Sequence, residues 1–204
     1  SMKQKKEAVK MQTKKALIIL ASASPRRREL LGMICHDFSV IVSECEEIVS
    51  STEPEEVTIE LSKQKAQAVA AGRADAVVIG ADTVVSIDGE ILGKPKDRED
   101  ACRMLRLLSG KTHRVSTGVT LLQTGPDADV RWGSSFAETT LVHVAPLSER
   151  ELRSYLDTDE PYDKAGAYGI QGTFGKFISG IEGDYNNVVG LPVHRLYEEW
   201  KKIP

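Results

Sequence analysis

Four consecutive apolar residues, Leu17–Leu20, run through Ala21-Ser22-Ala23-Ser24 into Pro25 and a helical pattern carrying Leu30 and Leu31. A short apolar run bounded by turn residues suits a buried strand. Serine followed by proline suits a helix start, with Ser24 capping and Pro25 in the first helical position, for a helix over about 25–33. The chain therefore begins with a strand–turn–helix unit, and the alternation continues. Phe38–Val42 reads as a strand, Pro54–Ala71 as a long helix closed by Gly72, and Ala76–Gly80 as another buried strand. Val84–Ile87 and Glu90–Leu92 flank Asp88-Gly89, a two-residue hairpin signal. A helix over Asp97–Leu108 turns Ala101, Met104, Leu105 and Leu108 inward and stops at Ser109-Gly110. Val115–Leu122 and residues 135–144 read as paired strands across the 125–129 loop. Ser148 and Glu151 form a capping box for a helix ending near Leu156. A glycine-rich stretch over 166–190 precedes a last helix from Pro192. Interleaved strands and helices with added hairpins predict an α/β fold on a mixed sheet. Without internal repeats or low-complexity linkers, residues 15–204 read as one domain with two lobes.

Composition excludes several partners. Net charge is −3 and aromatic content 5%, which offers no bulk attraction to nucleic acid or an anionic membrane and no stacking surface for RNA. No apolar run approaches the roughly 18 residues of a membrane span. Cys35, Cys45 and Cys102 lack CxxC spacing and make an odd count, which favours a reducing, intracellular setting. Residues 1–14 carry five lysines and no apolar signal core. They read as a flexible basic arm, with Ser1 ahead of Met2 as an expression scar.

Four features fit poorly with a purely structural role. Arg26, Arg27 and Arg28 follow the proline at a helix N-terminus, where the dipole repels cations. A solvated face is the plain alternative, but free N–H groups there favour an anion, and phosphate suits guanidinium forks, with Ser22 and Ser24 as further donors. Lys65 interrupts the i, i+4 row Val57, Leu61, Val69; it either snorkels to solvent or holds an ammonium in a cleft. Asp82 follows the apolar strand ending at Gly80, where α/β sheets place ligands. It is a turn residue, a base for water, or, with Glu47, a ligand for a hard divalent cation such as Mg²⁺. The segment "EPYDKAGAYGIQG", 160–172, combines glycines that admit a flat ligand with Asp163, Lys164 and Gln171 as polar handles. Lys94 in "LGKP" adds another cation. There is no P-loop, no GxGxxG after a strand, no metal spacing among the four histidines and no G-x-S-x-G elbow.

The blocks "LASASPRRRELL", "GADTVV", "LGKP", "LSGKTHRVSTGV", "EPYDKAGAYGIQG" and "GDYNNVVGLP", in order over about residues 17–196, resemble the Maf family. The resemblance implies a metal-dependent nucleoside triphosphate pyrophosphatase of the nucleotide pool, using Mg²⁺, Mn²⁺ or Co²⁺. The implied fold is similar to the inosine triphosphatase type, an elongated mixed sheet with a cleft between two lobes, in a cytoplasmic homodimer. By motif, Ser22, Arg26 and Arg27 grip the triphosphate, Glu47 is the acidic metal ligand, and Lys65, Asp82 and Lys94 are catalytic. Gln171 falls in the substrate-binding "YGIQG" block. Ala81-Asp82-Thr83 resembles the subgroup acting on dTTP and UTP. The expected reaction is attack of water on the α-phosphorus, with Asp82 orienting or deprotonating that water. A nucleotide-binding regulator of cell division without significant catalysis is the rival reading.

Overall fold

The computed structural model describes residues 15–204; the basic arm read in residues 1–14 lies outside the described residues. Seven strands form one mixed sheet: β1 (Leu17–Leu20), β2 (Ser39–Val40), β3 (Ala76–Ile87), β4 (Glu90–Leu92), β5 (Thr112–Thr124), β6 (Val130–Val144) and β7 (Ile178–Glu182). Their order is β2-β1-β3-β5-β6-β7, with β4 paired to β3. β1 runs parallel to β2 and β3, and the remaining pairs are antiparallel. Helices α1 (Pro25–Leu31), α2 (Pro54–Ala70), α3 (Arg98–Leu108), α4 (Glu149–Leu156), α5 (Tyr185–Val189) and α6 (Val193–Trp200) pack around it. The expected caps are made: Ser24 accepts from the Arg27 N–H, and Ser148 and Glu151 bond reciprocally.

The main departure from the sequence reading is β3. The strand expected to stop at Gly80 runs on to Ile87, because its backbone pairs with β5 in unbroken register from Val77 to Ser86. Residues 76–81 and 84–87 are buried; Asp82 and Thr83 alone in this strand are half-buried. On its other edge β1 pairs with residues 76–79 and β4 with 85–87. Residues 80–84 therefore face a gap between two strands, and that gap opens the cleft.

Side-chain alternation distributes β3 between two faces. On one face Ile79, Ala81, Val119 and Leu121 join Leu30, Leu31 and Leu196 in one apolar core. Further along that face Val85, Ile87 and Val115 join Leu105, Leu108 and Leu152 in a second. Thr83 and its register partner Thr117 lie between them.

Helix α2 covers the opposite face, and two glycines let it descend onto the sheet. A Cβ at Gly80 would sit 2.4 Å from the Ser62 carbonyl oxygen, and one at Gly118 would sit 2.3 Å from that of Thr58. Val57, Leu61 and Val69 are buried in the α2 row, and Lys65, in the same row, points at the gap. The glycine-rich stretch is more ordered than the sequence reading allowed. With the residues leading into it, it holds three short 3-10 turns over 160–163, 165–167 and 173–177, then β7 and α5.

His113 on β5 is 1% exposed, its Nε2 2.5 Å from the Tyr168 hydroxyl. Burial pushes its pKa from 6.5 down to about 4, with the His143 charge adding to the effect. The folded chain therefore keeps His113 neutral where the unfolded chain takes up a proton. The stability this contributes is whole above pH 6.5 and is lost as the pH falls toward 4, at up to about 1.4 kcal/mol per pH unit. Thermal midpoints measured from pH 7 to pH 4.5 are expected to fall, and to fall less steeply in His113→Gln. Parallel curves for the two proteins would contradict this assignment.

Candidate functional site

The cleft is a cavity of about 500 Å³ at the gap in the sheet, bordered by the β1–α1 turn, α2, β3, the turn after β4 and the segments at 163–170 and 188–190. It brings together Ser22, Arg26, Arg27, Glu47, Lys65, Asp82 and Lys94. Gln171 is exposed and stands outside this lining, which from that block takes Tyr168, Gly169 and Ile170. Arg28 is exposed as well.

Arg27 resolves the electrostatic oddity of α1. Its side chain leaves the positive end of its own helix and reaches the C-terminal end of α5, where carbonyls are unpaired and the dipole is negative. There Nε donates to the Gly190 carbonyl at 2.8 Å. One Nη donates to Ser22 Oγ at 3.2 Å, the other to Thr83 Oγ1 at 2.9 Å. Burial pulls its pKa down, opposed by the Asp82 charge and assisted by Arg26. Three of its five N–H donors are thus held by protein, and two remain for a ligand. Arg26, half-buried beside it, lines the cleft.

Opposite the arginines, Lys65 Nζ lies 2.7 Å from Asp82 Oδ1 and 3.3 Å from Glu47 Oε1. Lys65 and Asp82 are 19% and 16% exposed and Glu47 is 53% exposed, so the pair at the strand is sheltered and the loop carboxylate faces water. Asp82 and Thr83 are neighbours in sequence but leave β3 on opposite faces, toward Lys65 and Arg27 respectively. Lys94 on the turn after β4 forms no ion pair with another described residue. At the far wall Lys164 Nζ binds Asp163 Oδ1 at 2.8 Å and the Glu160 carbonyl at 3.0 Å. The Lys164 bond, then the Lys164 and Arg26 charges, hold the Asp163 carboxyl below its usual range against its own desolvation.

Sequence reasoning missed Thr83, Gly190 and the groups behind them. The signal for Thr83 was available: a strand continued past Gly80 puts adjacent polar residues on opposite faces. The role of Gly190 depends on long-range packing, 163 residues from Arg27.

Fold and site together define a two-core α/β protein with a cationic cleft at a break in sheet pairing. A solved HAM1 protein from Coxiella burnetii matches that fold with a TM-score of 0.53 at 13% identity, over 92% of this chain and 100% of that one. The chain belongs to the Maf-like protein family, whose profile matches residues 17–203. A relative in Agathobacter rectalis named dTTP/UTP pyrophosphatase is 52% identical over 200 residues, covering 91% of this chain and 97% of the relative. Another of the same name in Carboxydothermus hydrogenoformans is 51% identical over 185 residues, with the same shares covered.

Proposed function

We propose that this protein hydrolyses nucleoside triphosphates, dTTP and UTP among them, to the monophosphate and pyrophosphate. The observation that carries the reading is the convergence of one sheltered carboxylate, Asp82, with Arg26, Arg27, Lys65 and Lys94 on a single cleft. A triphosphate carries about as much negative charge as these cations supply, and a water beside its α-phosphorus needs a base. The names carried by relatives near 50% identity over most of their length support the substrate class.

The donor set also fits a hard divalent cation. Glu47 and Asp82 both point at one ammonium, so their oxygens reach a common volume. Among the described residues there is no group of three or more His, Cys, Asp or Glu able to hold a metal by itself. Two carboxylates that leave most positions to phosphate and water suit Mg²⁺ better than a softer ion. Bound there, the ion would supply charge neutralisation on the phosphates.

In the reaction Asp82 takes a proton from water as that oxygen bonds to the α-phosphorus. The bond from phosphorus to the bridging oxygen breaks, and pyrophosphate leaves with the electron pair. Arg26, Arg27 and Lys94 stabilise the charge that grows on it. Homodimer formation and a cytoplasmic setting belong to the same reading and rest on the family resemblance. Among the described residues no helix is long and apolar enough to cross a membrane.

Pyrophosphate release measured across canonical and modified triphosphates, with Mg²⁺ and then Mn²⁺, tests this reading. Turnover highest on dTTP and UTP is expected. Binding without turnover on any nucleotide would return the protein to a regulatory role.

A further inference from the structure

We infer that Thr117 is a positioning residue for Arg27, acting through a proton-ordered relay that crosses the seam between the two apolar cores. The relay has four members. Arg27 Nη2 lies 2.9 Å from Thr83 Oγ1, Thr83 Oγ1 lies 2.8 Å from Thr117 Oγ1, and Thr117 Oγ1 lies 3.2 Å from the Asn187 carbonyl oxygen. Its two ends fix its direction. A guanidinium can only donate and a carbonyl can only accept, and each hydroxyl between them has one proton. Thr83 therefore accepts from Arg27 and donates to Thr117, and Thr117 donates to Asn187.

The far end is anchored. Asn187 is fully buried, and its Nδ2 donates to the Val115 carbonyl and to Thr140 Oγ1, each at 3.1 Å. Thr140 in turn donates to the Asp184 carbonyl at 2.8 Å. These bonds clamp α5 against β5 and β6, and α5 presents both the Asn187 carbonyl and, just past its end, the Gly190 carbonyl that holds Arg27 Nε. Thr117 itself is 0% exposed, so no water replaces it. Buried chains of this kind are rigid when complete and costly when broken.

Two consequences follow. The Arg27 fork is aimed before any ligand arrives, because three of its donors have fixed partners. Thr83, although it borders the cleft, has spent its only proton on Thr117 and meets a ligand as an acceptor, not a donor. This inference rests on the proposed function only in taking the ligand of Arg27 to be a triphosphate.

The test is Thr117→Val, which keeps the shape and removes the hydroxyl, beside Thr117→Ser, which keeps the hydroxyl. Thr124→Val is the control: its buried hydroxyl lies on the same strand, bonded to Arg73 and Ala76 away from the cleft. Thr117→Val is expected to lower kcat/KM for UTP by roughly five- to ten-fold, the worth of one bond between uncharged groups, passed to Arg27 through Thr83. It should weaken binding of a non-hydrolysable UTP analogue as well. Thr117→Ser should return both to within about threefold, since its hydroxyl can restore the bond, and Thr124→Val should leave both unchanged. Should Thr117→Val fail to fold, Thr117→Cys, with a weak donor of similar size, replaces it with the same expectation. Equal kinetics and binding in Thr117→Val and wild type overturn the relay while leaving the proposed function standing. A wild type without turnover overturns that function, and calorimetric binding of the analogue still decides on the relay.

Discussion

Asp82→Asn is expected to lower turnover of dTTP and UTP by about a hundred- to ten-thousand-fold, the usual range for loss of a positioned general base. Triphosphate affinity is expected to stay within about threefold of wild type, or to rise, since neutralising a carboxylate beside a polyanion removes repulsion. The substitution suits the site. Asparagine has the same shape, and its amide oxygen can still accept from Lys65, which also keeps Glu47 at 3.3 Å. The protein should therefore fold as before, with β3 still paired to β5 on both sides of position 82. What is lost is the ability to take a proton. Single-turnover pyrophosphate release and calorimetric titration with a non-hydrolysable analogue separate the two effects. A near-wild-type rate would remove Asp82 from the chemistry, and a matching loss of rate and affinity would make it a binding residue.

The environment of Asp82 explains why one lysine is placed against it. Asp82 is mostly sheltered, and an unpaired charge there would be costly. The Lys65 ammonium compensates it and Glu47 together. Lys65 can do so because its stem follows the apolar row of α2 down to the sheet, which is why the sequence shows a lysine where the helical pattern asks for an apolar residue. The two alternatives weighed for it from sequence, solvent and cleft, merge here. The side chain as a whole is only 19% exposed, and its ammonium sits against Asp82 and Glu47 at the cleft wall.

Much of the architecture was legible because it depends on local patterns. The strand–turn–helix start, the Asp88-Gly89 hairpin and the Ser148–Glu151 box each draw on neighbours within a few residues, and each appears in the structure. Where reading failed, the deciding interactions were distant. Asp82 and Thr83 look like a turn after Gly80, yet they continue a strand because β5 pairs with them across some 35 residues. The order within 166–190 comes from packing against Val85, Thr140 and Arg27 rather than from periodicity. The arginine triplet was legible as an anomaly but only half as a site. Arg26 lines the cleft as the anion reading expects of its position, whereas Arg27 is first satisfied by the carbonyl end of a helix that sequence alone did not reveal. Gln171 was carried into the site by its motif block, and the cleft lining stops one residue short of it.

The largest structural effect is expected at Gly118, which was read only as part of a strand. A methyl there would meet the Thr58 carbonyl carbon and oxygen at 2.3 Å and the Ile59 nitrogen at 2.6 Å. All three are backbone atoms of α2, so no rotamer change relieves the clash and the helix must lift as a body. Overpacking of this kind costs about 1–3 kcal/mol, which for a chain of this size lowers the thermal midpoint by roughly 2–12 °C. Gly118→Ala should carry a second, separable loss. Lifting α2 withdraws Lys65 from Asp82, the register partner of Gly118, so turnover should fall at temperatures where the variant is still folded. Gly72→Ala provides the contrast. Its φ of +73° makes alanine strained, but nothing lies within 4 Å of the added methyl. It should cost about 1 kcal/mol, the strain of a Cβ in the left-handed region, without touching the rate. If Gly118→Ala matches Gly72→Ala in both midpoint and turnover, then the descent of α2 onto the sheet is not what holds Lys65 over the aspartate.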